Sequence, residues 1–127
     1  MQTLEKSVES CLKVHWGLMK NINEITGKDK RSFCSKYLHF HLPNYFFIYD
    51  SRAASGLTYL KTILGLKRSQ LTSDTKLQAQ MDVVYYRFFT SSLLVKKHVE
   101  EITGTELVPR EFDSLLISAS NLKRKLT

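Results

Sequence analysis

Apolar residues recur at three- and four-residue steps from the start of the chain: Leu4, Val8, Cys11, Leu12, Val14, His15, Leu18, Met19, Ile22 and Ile25. That spacing lines one face of an amphipathic helix over roughly residues 3–26. Gly27 follows as a residue able to close it in a left-handed conformation. The same spacing returns in Leu77, Met81, Val84, Tyr85, Phe88, Leu94, Val95, Val99 and Ile102, from a Ser73-Asp74 start signal to Gly104. A helix of about thirty residues is long, so a break is expected near Thr90-Ser91-Ser92. Phe112, Leu115, Leu116, Ala119, Leu122 and Leu126 supply the face of a final helix, with Pro109 suited to its first turn.

Two shorter helices are expected between these. One covers residues 29–41 and is stopped by Pro43, which disfavours helix in the residue before it. The other opens at Asp50-Ser51, whose side chains can accept the unpaired N–H groups of a first turn, and runs to Leu64 before Gly65. Residues 43–49 read as an extended apolar segment. With no second clear strand to pair with, a buried loop is expected there. Ile25-Thr26-Gly27 recurs as Ile102-Thr103-Gly104, each after a Glu, and reads as one helix stop used twice. Two Pro and five Gly leave little room for a sandwich or barrel. The expected fold is all-α: a single domain, residues 1–127, of five to six helices with one buried aromatic extended segment.

Composition removes several classes. At 43% hydrophobic the chain is too apolar to be disordered, and 127 residues can bury a core without staples. No apolar run approaches the ~20 residues of a membrane-spanning helix. Residues 1–13 carry Glu5, Lys6, Glu9 and Lys13, so no secretory leader is expected. Cys11 and Cys34 alone do not make a disulfide scaffold, and a cytoplasmic location is expected.

Charge points to partners. Nineteen Lys and Arg against twelve Asp and Glu give a net charge of +7. A positive field favours anionic partners, nucleic acid foremost, although solvated basic faces alone give the same balance. Lys28, Lys30, Arg31 and Lys36 form one group, Lys67 and Arg68 a second, and Lys123, Arg124 and Lys125 a third. Arg52, in the first turn of its helix, can either join Lys30 and Arg31 on a phosphate or pair with Asp50 or Glu24. Seven of the 14 aromatic residues (7 Phe, 6 Tyr, 1 Trp) fall between positions 33 and 49: Phe33, Tyr37, Phe40, Tyr45, Phe46, Phe47 and Tyr49. Their size places them in the middle of the core, and their neighbouring lysines give the alternative of stacking surfaces for bases.

Catalytic motifs are sparse. Asp50 can activate water or stabilise a cation, or it can simply cap its helix. Lys30 would need a depressed pKa to act as a nucleophile. His39 and His41 point apart on a helix and have no third ligand at metal spacing, so no metal site is expected. No P-loop, G-x-S-x-G or H-E-x-x-H motif occurs, and no cofactor is expected.

The run Ser35-Lys36-Tyr37-Leu38-His39-Phe40-His41, then Pro43, Phe46 or Phe47, and Ile48-Tyr49-Asp50-Ser51-Arg52-Ala53 resembles a signature of small uncharacterised bacterial proteins. It covers about 20 residues and implies no activity. The chain is also distantly similar to the helix-hairpin-helix DNA glycosylases. There a glycine-containing hairpin and a helix precede an apolar stretch that ends in an aspartate at a helix start. Gly27 takes the hairpin position, Asp50 the aspartate position, and Lys30 lies where bifunctional members carry a lysine nucleophile. The hairpin reads Ile25-Thr26-Gly27-Lys28-Asp29 where those enzymes have close to L-P-G-x-G, and a single helix precedes it. The resemblance therefore implies a helical architecture more than an enzyme.

Two function classes follow. The first is a non-catalytic nucleic-acid-binding or interaction module, of the kind carried by mobile genetic elements. Its phosphate contacts would be Lys28, Lys30, Arg31, Lys36, Arg52, Lys123, Arg124 and Lys125. The second is a reduced glycosylase-like enzyme using Asp50 and Lys30. A third reading has no nucleic acid at all and makes the chain a homodimer or a partner-binding protein, with a seam on the first and last helices.

Overall fold

Helix after helix is closed by glycine where the sequence places it. The computed structural model describes residues 7–66 and 81–126, and these form five α-helices: α1 (Val8–Thr26), α2 (Arg31–His41), α3 (Ser51–Leu64), α4 (Val83–Thr103) and α5 (Pro109–Leu126). The architecture is all-α and single-domain. Gly27, Gly65 and Gly104 follow α1, α3 and α4 with φ near +70°, a backbone conformation that costs glycine little. The two Ile-Thr-Gly stops match in detail. Thr26 Oγ1 donates to the Ile22 carbonyl and Thr103 Oγ1 to the Val99 carbonyl, each at 2.8 Å.

Helix starts differ more from expectation. Asp50 caps α3 as anticipated, its Oδ1 accepting the Ala53 N–H at 2.8 Å. Pro109 takes the first position of α5, and Glu111 reaches back to the Val108 N–H at 3.1 Å. Helix α2 begins at Arg31 rather than at residue 29. The Ser73-Asp74 start signal and the Lys67-Arg68 pair lie outside the described residues. The helix that ends at Gly104 starts at Val83, and Met81 and Asp82 before it are not helical. Asp82 is extended there and caps α4 through the Tyr85 N–H at 2.9 Å. No break occurs at Thr90-Ser91-Ser92, because Ser91 and Ser92 are buried within a continuous α4.

The extended segment is shorter than expected: residues 43–45 form a turn, with Pro43 and Asn44 exposed, and residues 46–50 run extended through the centre. Phe46 and Phe47 are almost fully buried, and Phe47 packs edge-on against Phe89 of α4 and Phe112 of α5, with ring centroids 5.0 and 5.5 Å away. Tyr49 meets Phe88 in the same way at 5.1 Å. A buried stretch without a partner strand needs other hydrogen-bond partners for its backbone. Three side chains serve it. His39 Nδ1–H donates to the Phe46 carbonyl at 2.7 Å. Tyr85 Oη–H donates to the Phe47 carbonyl at 2.6 Å. Ser35 Oγ accepts the Tyr49 N–H at 2.8 Å. Ser35 and His39 lie four apart on the buried face of α2, so one helix face docks the segment.

Helices α3 and α5 pack antiparallel and very closely. A Cβ on Gly56 would stand 1.9 Å from the Leu116 carbonyl oxygen, so only glycine lets the backbones approach this far. Among the described residues no helix is long and apolar enough to cross a membrane.

Candidate nucleic-acid interface

The close α3–α5 crossing sets the position of a cationic groove. Four residues along from Gly56 toward the α3 N-terminus, Arg52 faces the last turns of α5. Arg52 Nη2 donates to Asn121 Oδ1 at 2.9 Å, and Arg124 Nη2 donates to the same oxygen at 3.0 Å. One amide oxygen thus holds two guanidinium groups together. With Lys125 these residues line an open groove of about 560 Å³. No acidic side chain is among the described residues lining it. Lys123, Arg124 and Lys125 also complement the negative end of α5. Arg52 has no such excuse. It sits in the first turn of α3, where the helix dipole disfavours a cation, and the acid at that end, the Asp50 cap, is taken by the Ala53 N–H and Lys36 rather than by Arg52.

Three of the eight expected phosphate contacts therefore come together, from two helices 69 residues apart in sequence at the Arg52–Asn121 bond. The alternative ion pairs of Arg52 with Asp50 or Glu24 are not formed among the described residues. Lys36, on the exposed face of α2, stands 3.7 Å from Asp50 Oδ2 and so lies close to the start of α3. Lys28 and Lys30 are exposed in and just after the α1–α2 turn, where Asp29 is tied to Asn23 at 3.0 Å.

Arg31, another of the expected phosphate contacts, is engaged by Asp82. Its Nε–H donates to Asp82 Oδ2 at 2.5 Å and its Nη2–H to Asp82 Oδ1 at 2.9 Å, so the paired donors that suit a phosphate are taken. Burial alone would raise the Asp82 carboxyl. The Arg31 bonds, the Tyr85 N–H and nearby His15 outweigh it and hold Asp82 below the usual carboxylate range. Next to this pair His15 is fully buried, stacked on Tyr85 with ring centroids 3.8 Å apart. Burial pushes its pKa down to about 4, so it is neutral. Its Nδ1 has no hydrogen-bond partner among the described residues. Burial also pushes the Cys11 thiol up to about 11 and raises Cys34, which leaves both as protonated core groups.

The aromatic cluster is divided by α2. Phe46 and Phe47 are core, as expected. Phe33, Tyr37 and Phe40 are not: they are 55%, 47% and 81% exposed. Helical spacing explains the division, since Cys34, Ser35, Leu38 and His39 occupy the buried face and positions 33, 37 and 40 the opposite one. His39 and His41 fall on these opposite sides as well. At the C-terminal end of α2, Phe40 joins His39, Pro43, Ile48, Arg110, Asp113 and Ser114 around an open groove of about 490 Å³. Burial and then the nearby Asp50 charge raise the Asp113 carboxyl.

The two expected catalytic groups are not brought together in a groove. Asp50 is occupied by the Ala53 N–H and by Lys36, and Lys30 is exposed at the start of α2. Neither lines the α3–α5 groove or the groove beside Phe40. Asp82 and Asn121 were invisible to motif reasoning. An Asp three residues before Tyr85 was the available signal for a helix start at 82. No family model matches the chain, and no curated protein or solved structure matches it.

Proposed function

We propose that this chain is a non-catalytic nucleic-acid-binding module that holds backbone phosphates in the α3–α5 groove. The observation that carries this reading is Arg52. A cation placed against the positive end of a helix dipole, and held beside a second guanidinium by one shared amide oxygen, gains most when an anion enters. Arginine is suited to that task because its planar donors match phosphate oxygens. Lys125 beside them and the net charge of +7 extend the attraction beyond a single phosphate.

Labelled single- and double-stranded DNA, titrated with the protein from low to physiological salt, tests it. Binding is expected to weaken steeply with salt. Arg52→Glu and Arg124→Glu are each expected to weaken it across all sequences and to reduce the logarithmic salt slope by about one. Absence of binding at low salt, or an unchanged slope in both variants, overturns the reading.

A further inference from the structure

The exposed face of α2 carries an unusual set of side chains for a solvated surface. Phe33, Tyr37 and His41 follow one another at four-residue steps, with ring centroids 6.2 and 4.5 Å apart, and Phe40 meets His41 edge-on at 5.3 Å. Four rings thus form one continuous strip along the helix. Lysines flank it: Lys36 lies between Phe33 and Phe40 on the helix surface, and Lys30 precedes the first turn. The opposite face is spent on the core, where Ser35 and His39 rather than these rings make the hydrogen bonds to the extended segment.

We propose that this strip is the base-stacking platform of a single-stranded polynucleotide whose phosphates continue into the α3–α5 groove. The inference rests on the reading of that groove as a phosphate site and names the class of nucleic acid it serves. Two observations select the occupant. The first is charge: a ring strip bordered by Lys30 and Lys36 complements unpaired bases joined by phosphates, because the rings take base faces and the ammonium groups take the backbone. An apolar partner helix would desolvate Lys30 and leave Lys36 only its 3.7 Å approach to Asp50. The second is continuity. Lys36 reaches Asp50 at 3.7 Å, and two residues further on stands Arg52 at the mouth of the groove. Lys36 of the strip and Arg52 of the groove thus both lie by the start of α3, and a strand running from one to the other passes the Asp50 carboxylate, whose charge Lys36 offsets.

A duplex hides its base faces and offers the rings nothing, whereas both forms offer phosphates to the groove. Phe40 also walls the groove shared with Arg110 and Ser114, where a base at the end of the strip can turn in against polar groups.

The test compares Phe33→Ala, Phe40→Ala and their double variant with the parent, using labelled oligo-dT, oligo-rU and a DNA duplex of matched length in low salt. Both positions are exposed, so thermal unfolding of the variants should match the parent. The expected result is tighter binding of the single strands than of the duplex. Each alanine should weaken single-strand binding about ten-fold while leaving duplex binding unchanged. Duplex binding with no single-strand preference, or single-strand binding indifferent to both alanines, overturns this inference and leaves the phosphate groove standing. No binding to any probe overturns both. Sedimentation of the parent as a dimer that Phe40→Ala converts to monomer assigns the strip to a self-association seam and also overturns the stacking platform.

Discussion

Arg31 and Asp82, 51 residues apart in sequence, are joined by two parallel charge-assisted hydrogen bonds of 2.5 and 2.9 Å. Asp82 also caps α4 through the Tyr85 N–H. The pair therefore pins the first turn of α2 to the first turn of α4, and one carboxylate does two structural tasks. Asp82→Asn keeps an acceptor for the cap and loses the charge. Its expected cost is about 2 kcal/mol, less than for a fully buried pair because the Arg31 side chain is 28% exposed. Asp82→Ala loses the cap too and should cost about 1 kcal/mol more. Urea midpoints of the two variants check the order, and equal midpoints would remove the capping role.

Acid should destabilise the protein in two stages. His15 has its folded pKa depressed from 6.5 to about 4. Its contribution is therefore fully present above pH 6.5 and is lost as pH falls toward 4, because only the unfolded chain takes up the proton in that window. The Asp82 carboxyl is also depressed, so its contribution persists through this window and is lost at lower pH, as the medium falls through its folded pKa. The first stage amounts to a few kcal/mol. His15→Phe, which keeps a ring against Tyr85, should flatten stability between pH 6.5 and 4 and leave the lower limb in place. Denaturant titrations at a series of pH values read both stages.

Two glycine substitutions should act in opposite directions. Gly56→Ala drives a methyl group against the Leu116 backbone, and neither helix can yield cheaply. A loss of about 2–4 kcal/mol is expected. Gly17 lies on the exposed side of α1, and a Cβ there meets nothing within 4 Å. Gly17→Ala should stabilise by about 0.5–1 kcal/mol through helix propensity alone. Thermal unfolding of both variants separates a packing constraint from a propensity effect.

Tyr85→Phe removes only the hydroxyl that serves the Phe47 carbonyl. Burial pushes this phenol well up, so it acts as a neutral donor. A buried carbonyl left without its donor should cost about 1–3 kcal/mol with little change in core packing. An unchanged midpoint would mean that the segment does not depend on that bond.

Much of the scaffold was legible because its signals are local. Glycine stops, the Asp50 cap and the proline at the head of α5 each act within one helical turn, so spacing alone exposes them. The unpaired extended segment was legible for a related reason, since no other stretch offered it a strand. What escaped depends on distant partners. Nothing near Asp82 reveals that Arg31 will claim it, and nothing near Arg52 reveals Asn121. The aromatic cluster is continuous in sequence but not in space. Separated by helical spacing, positions 33, 37 and 40 fall on one side of α2 and the docking residues Ser35 and His39 on the other. Those two residues hold residues 46–49 in place.

That central segment also governs how the molecule can be assembled. Phe46 and Phe47 are synthesised early, yet the rings and the hydroxyl that enclose them come from Tyr85, Phe89 and Phe112. A nascent chain that has emerged only as far as Leu66 has Ser35 and His39 for this segment but lacks the ring walls and the Tyr85 hydroxyl. Completing that interior therefore depends on contacts of high sequence separation, which slow folding. A fragment cut after α3 is expected to gain order only when mixed with the C-terminal helices.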